Sequence, residues 1–365
     1  MRLLPSRRGA LRQRLLSRAP SMLPRHLQIQ TVAGLRRHLQ TAIELEHATI
    51  PTYLTALYTI EEGSNRAAAA IIRSVVMEEM LHMSLASNIL LAIGGSPRID
   101  HRRFVPSYPT TLPHSDQSLL IGLERFSPAQ IGVFMGIEQP APAGATPEAN
   151  QYGTIGQFYA AIELALKKFS TEGGLFTGDP RLQVRPEQYY GGGGEIIAID
   201  APTEAGRLDQ ALEALGEIVG QGEGVNGGID DGDDELFGQQ VEVAHFFRFQ
   251  QIACERYFQP GDTPTSGPSG DVLPVDWRRV YPTRKNPKLA DYAPNSELWR
   301  MTRGFNRAYM RLLSVLHRAF NGEPSLVAQS VVSMYELRDR ATALVKVPTD
   351  SGENAGPSFE WMETD

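Results

Sequence analysis

Residues 74–95, SVVMEEMLHMSLASNILLAIGG, restrict the fold more than any other part of this 365-residue chain. Read as a helix, the inward stripe is Ile72, Val75, Glu79, His82, Ala86, Ile89 and Ile93. The steps of three and four are those of one helical face. Glu79 and His82 therefore stand in the apolar seam, while Glu78 falls off it. A buried carboxylate without a partner is costly, so Glu79 calls for a partner on another element.

The flanking sequence supplies the other elements. Thr31 can cap a helix running to about Glu62, with Pro51 inside it, where the missing N–H should kink it. Gly63-Ser64-Asn65 breaks the pattern, and a second helix runs from about Arg66 to Ile93 before Gly94-Gly95-Ser96-Pro97. Two long helices joined by so tight a break should lie antiparallel. A Pro-rich crossover follows over 95–150, with one short helix starting at Ser127-Pro128. Thr154 and Gln157 form a capping box for a helix over 155–170. The GGGG at 191–194 precedes the apolar EIIAI and suggests a small hairpin. Further helices are expected over 203–220, 234–258, 295–320 and 324–345. The chain is thus all-α: a bundle over 30–258 and a helical extension over 259–365 packed on it. Residues 1–29 form a basic leader or a disordered tail, since Met1 to Ile43 hold nine arginines and no acid.

The anomaly of the second helix recurs. The first helix has the stripe Leu35, Leu39, Ala42, Glu46, Ile50, Tyr53, Leu57, with Glu46 in the seam. The helix after the crossover offers Tyr159, Glu163 and Leu166. The 234–258 segment offers Glu242, His245, Phe249 and Ile252. The candidate ligands are Glu46, Glu79, His82, Glu163, Glu242 and His245, in the chain order Glu, Glu-x-x-His, Glu, Glu-x-x-His. That is the inventory of a ferritin-like di-iron carboxylate four-helix bundle. Carboxylates bridge and neutralise hard cations, and one imidazole per metal leaves coordination positions open. The i, i+3 spacing sets Glu and His side by side. The spacing alone is cheap: Glu44 and His47 share it, but Glu44 projects away from the seam. The same inward residues could instead form a hydrogen-bonded network without metal.

Longer stretches carry a resemblance. LEHATIPTYLTALYTI (45–60), EEMLHMSLASNILLAIGGSPR (78–98), IGQFYAAIE (155–163), YYGGGGEIIAI (189–199), IVGQGEG (218–224) and HFFRFQQI (245–252) resemble the ferritin-like family named for iminophenyl-pyruvate dimer synthase, an enzyme of the violacein pathway. PVDWRRVYP (274–282), FNRAYMRLLSVLHRAFNG (305–322) and AGPSFEW (355–361) extend the likeness to residues 30–361. The resemblance implies two metal ions, iron or manganese, held by the six residues above, with Glu223 or Glu217 as alternatives to Glu163 or Glu242. It also implies a small, amino-acid-derived substrate and either oxidation or imine coupling in secondary metabolism. A non-catalytic metal-binding or structural protein is the alternative reading.

Composition excludes other classes. A net charge of −7 argues against nucleic-acid binding. No run of 18 apolar residues is present, so no membrane span is expected. A single cysteine, Cys254, precludes an internal disulfide and fits a reducing compartment. The expected location is cytoplasmic, with organelle import through the basic N-terminus as the alternative. Cys254 is expected to be a core thiol. The acids at 230–235 lack EF-hand spacing and are read as a solvated helix start. Tyr53 and Tyr159 point toward the centre, either donating to a ligand carboxylate or simply filling the core. Homo-oligomerisation is left open.

Overall fold

The computed structural model describes residues 29–190, 195–232 and 243–363. The basic leader, the GGGG segment and Glu242 lie outside the described residues. Among the described residues are eight α-helices: α1 (Val32–Thr59), α2 (Arg66–Ala92), α3 (Pro128–Ile137), α4 (Ile155–Glu172), α5 (Glu204–Glu223), α6 (His245–Cys254), α7 (Glu297–Ala319) and α8 (Leu326–Leu344). Pairing between extended segments is limited to isolated bridges among these residues.

Local chemistry accounts for the helix ends. The Thr31 hydroxyl accepts from the Gly34 N–H at 2.9 Å and opens α1. Ser127, Thr203 and Ser296 cap α3, α5 and α7 in the same way, and the Thr154/Gln157 capping box opens α4. Helix α2 closes where Gly94, at φ +72°, lets the chain turn back. The N–H groups of Gly94 and Gly95 then reach the Leu91 and Leu90 carbonyls. Pro51 is accommodated inside the 28-residue α1.

Helices α1, α2, α5 and α4 form a closed ring in which each packs on two neighbours. Helices α1 and α2 are antiparallel, since Arg36 near the start of α1 donates to the Ile93 carbonyl at the end of α2. Both inward stripes are buried, apart from the half-buried Leu57. Helix α2 is long and apolar enough to cross a membrane by length and composition, but 89% of its most apolar window is buried inside the protein. It is a core helix.

The crossover between α2 and α4 carries α3, which packs on α6 with the Phe134 and Phe249 rings 5.0 Å apart. Helices α7 and α8 pack on each other, and α7 meets the bundle where Tyr309 bonds to His47 at 2.6 Å.

Two expected elements differ. The 234–258 helix is described only from His245, because Val243 and Ala244 are extended and Val243 pairs with Asp230. It ends at Cys254, where Glu255 turns left-handed at φ +53°. The segment EIIAI shows no hairpin strand over its described residues. Buried amides satisfy its backbone instead: Asn88 donates to the Val184 and Ile197 carbonyls, and Gln183 exchanges two bonds with Ile199.

Candidate metal centre

The centre lies between the middles of α1 and α2 and the start of α6. Helix α1 presents Glu46, Thr49 and Tyr53, at steps of three and four. Helix α2 presents Glu78, Glu79 and His82. The residue that ends α3, Glu138, reaches in from the crossover. Helices α4 and α5 add Tyr159 and Gln221, and α6 contributes His245 at its first position and Arg248 one turn later. All these side chains are buried.

Two groups of ligand-type atoms result, Glu46/Glu79/His82 and Glu79/Glu138/His245, each with its atoms within 4.8 Å of one another. Glu79 belongs to both. Nδ1 of His82 lies 3.4 Å from Glu46 Oε2 and 4.0 Å from Glu79 Oε1. Nδ1 of His245 lies 3.1 Å from Glu79 Oε1 and 3.6 Å from Glu138 Oε2. The two imidazoles face each other with centroids 5.4 Å apart. The halves correspond: each has its own carboxylate and its own imidazole, and they share Glu79.

The supporting bonds repeat on both sides. Tyr159 donates to Glu46 Oε1 and Tyr53 donates to Glu138 Oε1, leaving each Oε2 facing its histidine. Thr49 donates to Glu79 Oε2 at 2.7 Å, leaving Oε1 between the two rings. Behind the rings, His82 Nε2 bonds to Gln221 Oε1 at 2.8 Å, and His245 Nε2 bonds to Glu78 Oε2 at 2.9 Å. Both contacts place a proton on Nε2 and turn the Nδ1 lone pair inward.

Electrostatics makes the site costly by itself. Burial and the nearby Glu138 and Glu46 push Glu79 up to about 8, against the pull of His245. Burial alone would lower both histidines, but the carboxylates win. Glu138, Glu78 and Glu79 hold His245 well above its ordinary range, and Glu46 and Glu79 raise His82. Glu78 is the opposite case. Burial would raise it, but Arg248 and His245 bring it down to about 2. Arg248 donates to Glu78 at 2.5 Å and to the buried Asp231 at 2.7 Å.

This donor set fits divalent cations. Three carboxylates and two imidazoles converge in a buried volume, where the protons drawn onto Glu79 and the histidines take places that cations could fill. Nδ1 of His245 is buried and makes a hydrogen bond to neither neighbouring carboxylate. An inward imidazole nitrogen set among carboxylate oxygens is a position that a cation can take in place of the proton.

The structure brings together Glu46, Glu79, His82 and His245 from the six candidates. Glu163 is buried on the inward face of α4, but it is paired with Lys167 at 2.5 Å and falls in neither group. Glu242 lies outside the described residues. Glu223 also falls in neither group. It accepts from the Gly156 N–H at the start of α4, an approach open because a Cβ at Gly156 would meet that carboxylate at 2.3 Å. Glu217 accepts from the Gln221 amide, one layer behind His82.

Sequence reasoning missed Glu138, which ends a short helix with no period to betray an inward acid. It also set Glu78 outside the seam, although Glu78 is buried, because α6 covers that side of α2. The acid run was read as solvated, but Asp231 is buried against Arg248. Cys254 is exposed rather than a core thiol, two residues past the last buried position of α6. His47 of the third Glu-x-x-His spacing belongs to neither group; its ring lies 4.3 Å from that of Phe104 and bonds to the Tyr309 hydroxyl.

The fold agrees with comparison to known proteins. The chain belongs to the Ferritin-like family, whose model matches residues 39–254. It is similar to the dichlorochromopyrrolate synthase of Lentzea aerocolonigenes, at 25% identity over 321 residues, covering 79% of this chain and 29% of that protein. The chain therefore spans less than a third of that relative's length. In fold it is similar to a ferritin-like protein from Caulobacter vibrioides known from a crystal structure. The TM-score is 0.65 at 24% identity, covering 92% of this chain and all of that one.

Proposed function

We propose that this protein is a metal-dependent enzyme that binds two divalent ions, iron or manganese, and oxidises or couples a small amino-acid-derived molecule in secondary metabolism. The observation that carries this reading is the sharing of Glu79 by two Glu/Glu/His groups. Glu46 and His82 would hold one ion, Glu138 and His245 the other, and Glu79 would bridge them. When bound, such a pair supplies Lewis-acid and oxygen-activating chemistry.

The chain's own residues do the positioning. Tyr159 and Tyr53 fix the terminal carboxylates, and Gln221 and Glu78 fix the imidazole tautomers. The burial of the whole constellation excludes bulk water and strengthens each charge interaction. Glu163 and Glu242 remain proposed ligands that the two described groups do not include. The named synthase, though far longer than this chain, supports an enzyme over a storage or structural role.

The deciding experiment is the metal content of protein expressed with iron and purified without chelator, for wild type and for Glu79→Ala/His82→Ala. About two ions per chain in the wild type, sharply fewer in the variant, is the expected result. No metal in either would overturn the proposal.

A further inference from the structure

The two halves of the centre have matching inner donors and different supports. Behind His82 stands the neutral amide of Gln221, which in turn leans on the half-buried Glu217. Behind His245 stands a carboxylate, Glu78, buried and fixed by Arg248, and Arg248 is shared with the buried Asp231. Among the described residues, the acceptor on His245 Nε2 is thus a carboxylate held in place by a guanidinium, whereas the acceptor on His82 Nε2 is an amide oxygen. An anionic acceptor on Nε2 makes Nδ1 a stronger donor than an amide does. Both Glu78 and His245 are buried, so the Glu78 charge is weakly screened. The inner atoms differ in the same direction. His245 Nδ1 sits 3.1 and 3.6 Å from its two carboxylate oxygens, against 3.4 and 4.0 Å for His82.

We infer that the two half-sites are unequal and that the Glu79/Glu138/His245 half fills first, with Glu78 as the positioning residue that sets the order. This rests on the metal-centre reading above and extends it to the assembly of the site. Occupation of the first half would then load Glu79 with one cation, and the Glu46/His82 half would bind its ion only at higher free metal. A protein that saw limiting metal would carry a single ion, on the His245 side.

The test is titration of metal-free protein with Zn²⁺ by calorimetry and with Co²⁺ by visible absorption. Two steps alone would not suffice, because two cations sharing Glu79 repel each other whatever lies behind the rings. The assignment comes from variants. Glu138→Ala should remove the tight step and keep a weak one, and Glu46→Ala should do the reverse. Glu78→Gln should weaken the tight step by about 10- to 100-fold. Gln221→Glu, which leaves Arg248 paired, should tighten the weak step and keeps the test open should Glu78→Gln fail to fold. Loss of the tight step in Glu46→Ala, or Zn²⁺ steps unmoved by both Glu78→Gln and Gln221→Glu, would overturn the inference while leaving a metal centre in place. No Zn²⁺ or Co²⁺ binding by the wild type would overturn the metal-centre reading itself.

Discussion

Glu78 and Glu79 are consecutive in sequence and grip one imidazole from opposite sides, Glu78 Oε2 at 2.9 Å from His245 Nε2 and Glu79 Oε1 at 3.1 Å from Nδ1. Neighbours on a helix point about 100° apart, so both can be buried only where two partners cover adjoining strips of α2. Helix α1 covers one and α6 the other. The arrangement divides the labour, with one acid facing the shared centre and its neighbour, held by Arg248, orienting the ring.

The sharing of Glu79 makes the metal stoichiometry a graded readout. Glu79→Ala should lose both ions, because each group loses its bridging carboxylate. Glu46→Ala should retain about one, and Glu138→Ala at most about one, more loosely held. Metal analysis of the three purified variants checks this, and equal loss in all three would contradict two half-sites.

Arg248 is a buried cation between two buried acids. Arg248→Met leaves Glu78 and Asp231 without their counter-charge, and breaking such a pair costs about 3–5 kcal/mol. Chemical denaturation should show this loss. Adding Glu78→Gln and Asp231→Asn to the same chain should recover part of it. A triple variant no better than the single one would mean that packing, not charge, is what Arg248 supplies.

The tyrosine hydroxyls bond to carboxylates inside the core. Tyr53→Phe and Tyr159→Phe should each lower the stability of the metal-free protein by about 1.5–3 kcal/mol. The effect should be seen as a lower urea midpoint at unchanged slope. Unaltered midpoints in both would show that the hydroxyls do not carry these bonds.

His47 gives a pH dependence whose sign is fixed. Burial brings it from 6.5 down to about 3, so the native state stays neutral where the unfolded chain takes up a proton. The unfolded state therefore binds more protons between pH 3 and 6.5, and native stability falls as pH drops through that window. The slope from this residue is about 1.4 kcal/mol per pH unit, vanishing above the unfolded value. The stability difference between wild type and His47→Gln, followed by denaturation at several pH values, isolates it. A difference that does not change with pH would mean the ring is protonated in the fold.

Cys254 should react with a thiol reagent in the native state, releasing about one equivalent at the rate of a free thiol. Reaction only after denaturation would contradict its exposed position at the end of α6.

The sequence by itself determined where the long helices run, which face of each is inward, and that Glu46, Glu79, His82 and His245 lie on inward faces. These are local properties: caps, breakers and a period of 3.6 residues are all written within a few turns of chain. Only the tertiary structure decided what those faces meet. Glu163 is inward like Glu46, but Lys167, one turn along the same helix, claims it. Glu138 lies at the end of a ten-residue helix, too short for a period to single it out, and the path of the crossover brings it to Tyr53 and His245. Glu78 looked solvent-facing because one period marks one buried strip, and a second strip exists only when another helix lands on it. Periodicity fixes the direction of a side chain around its own axis. Its partner depends on how distant segments pack, and no local signal carries that.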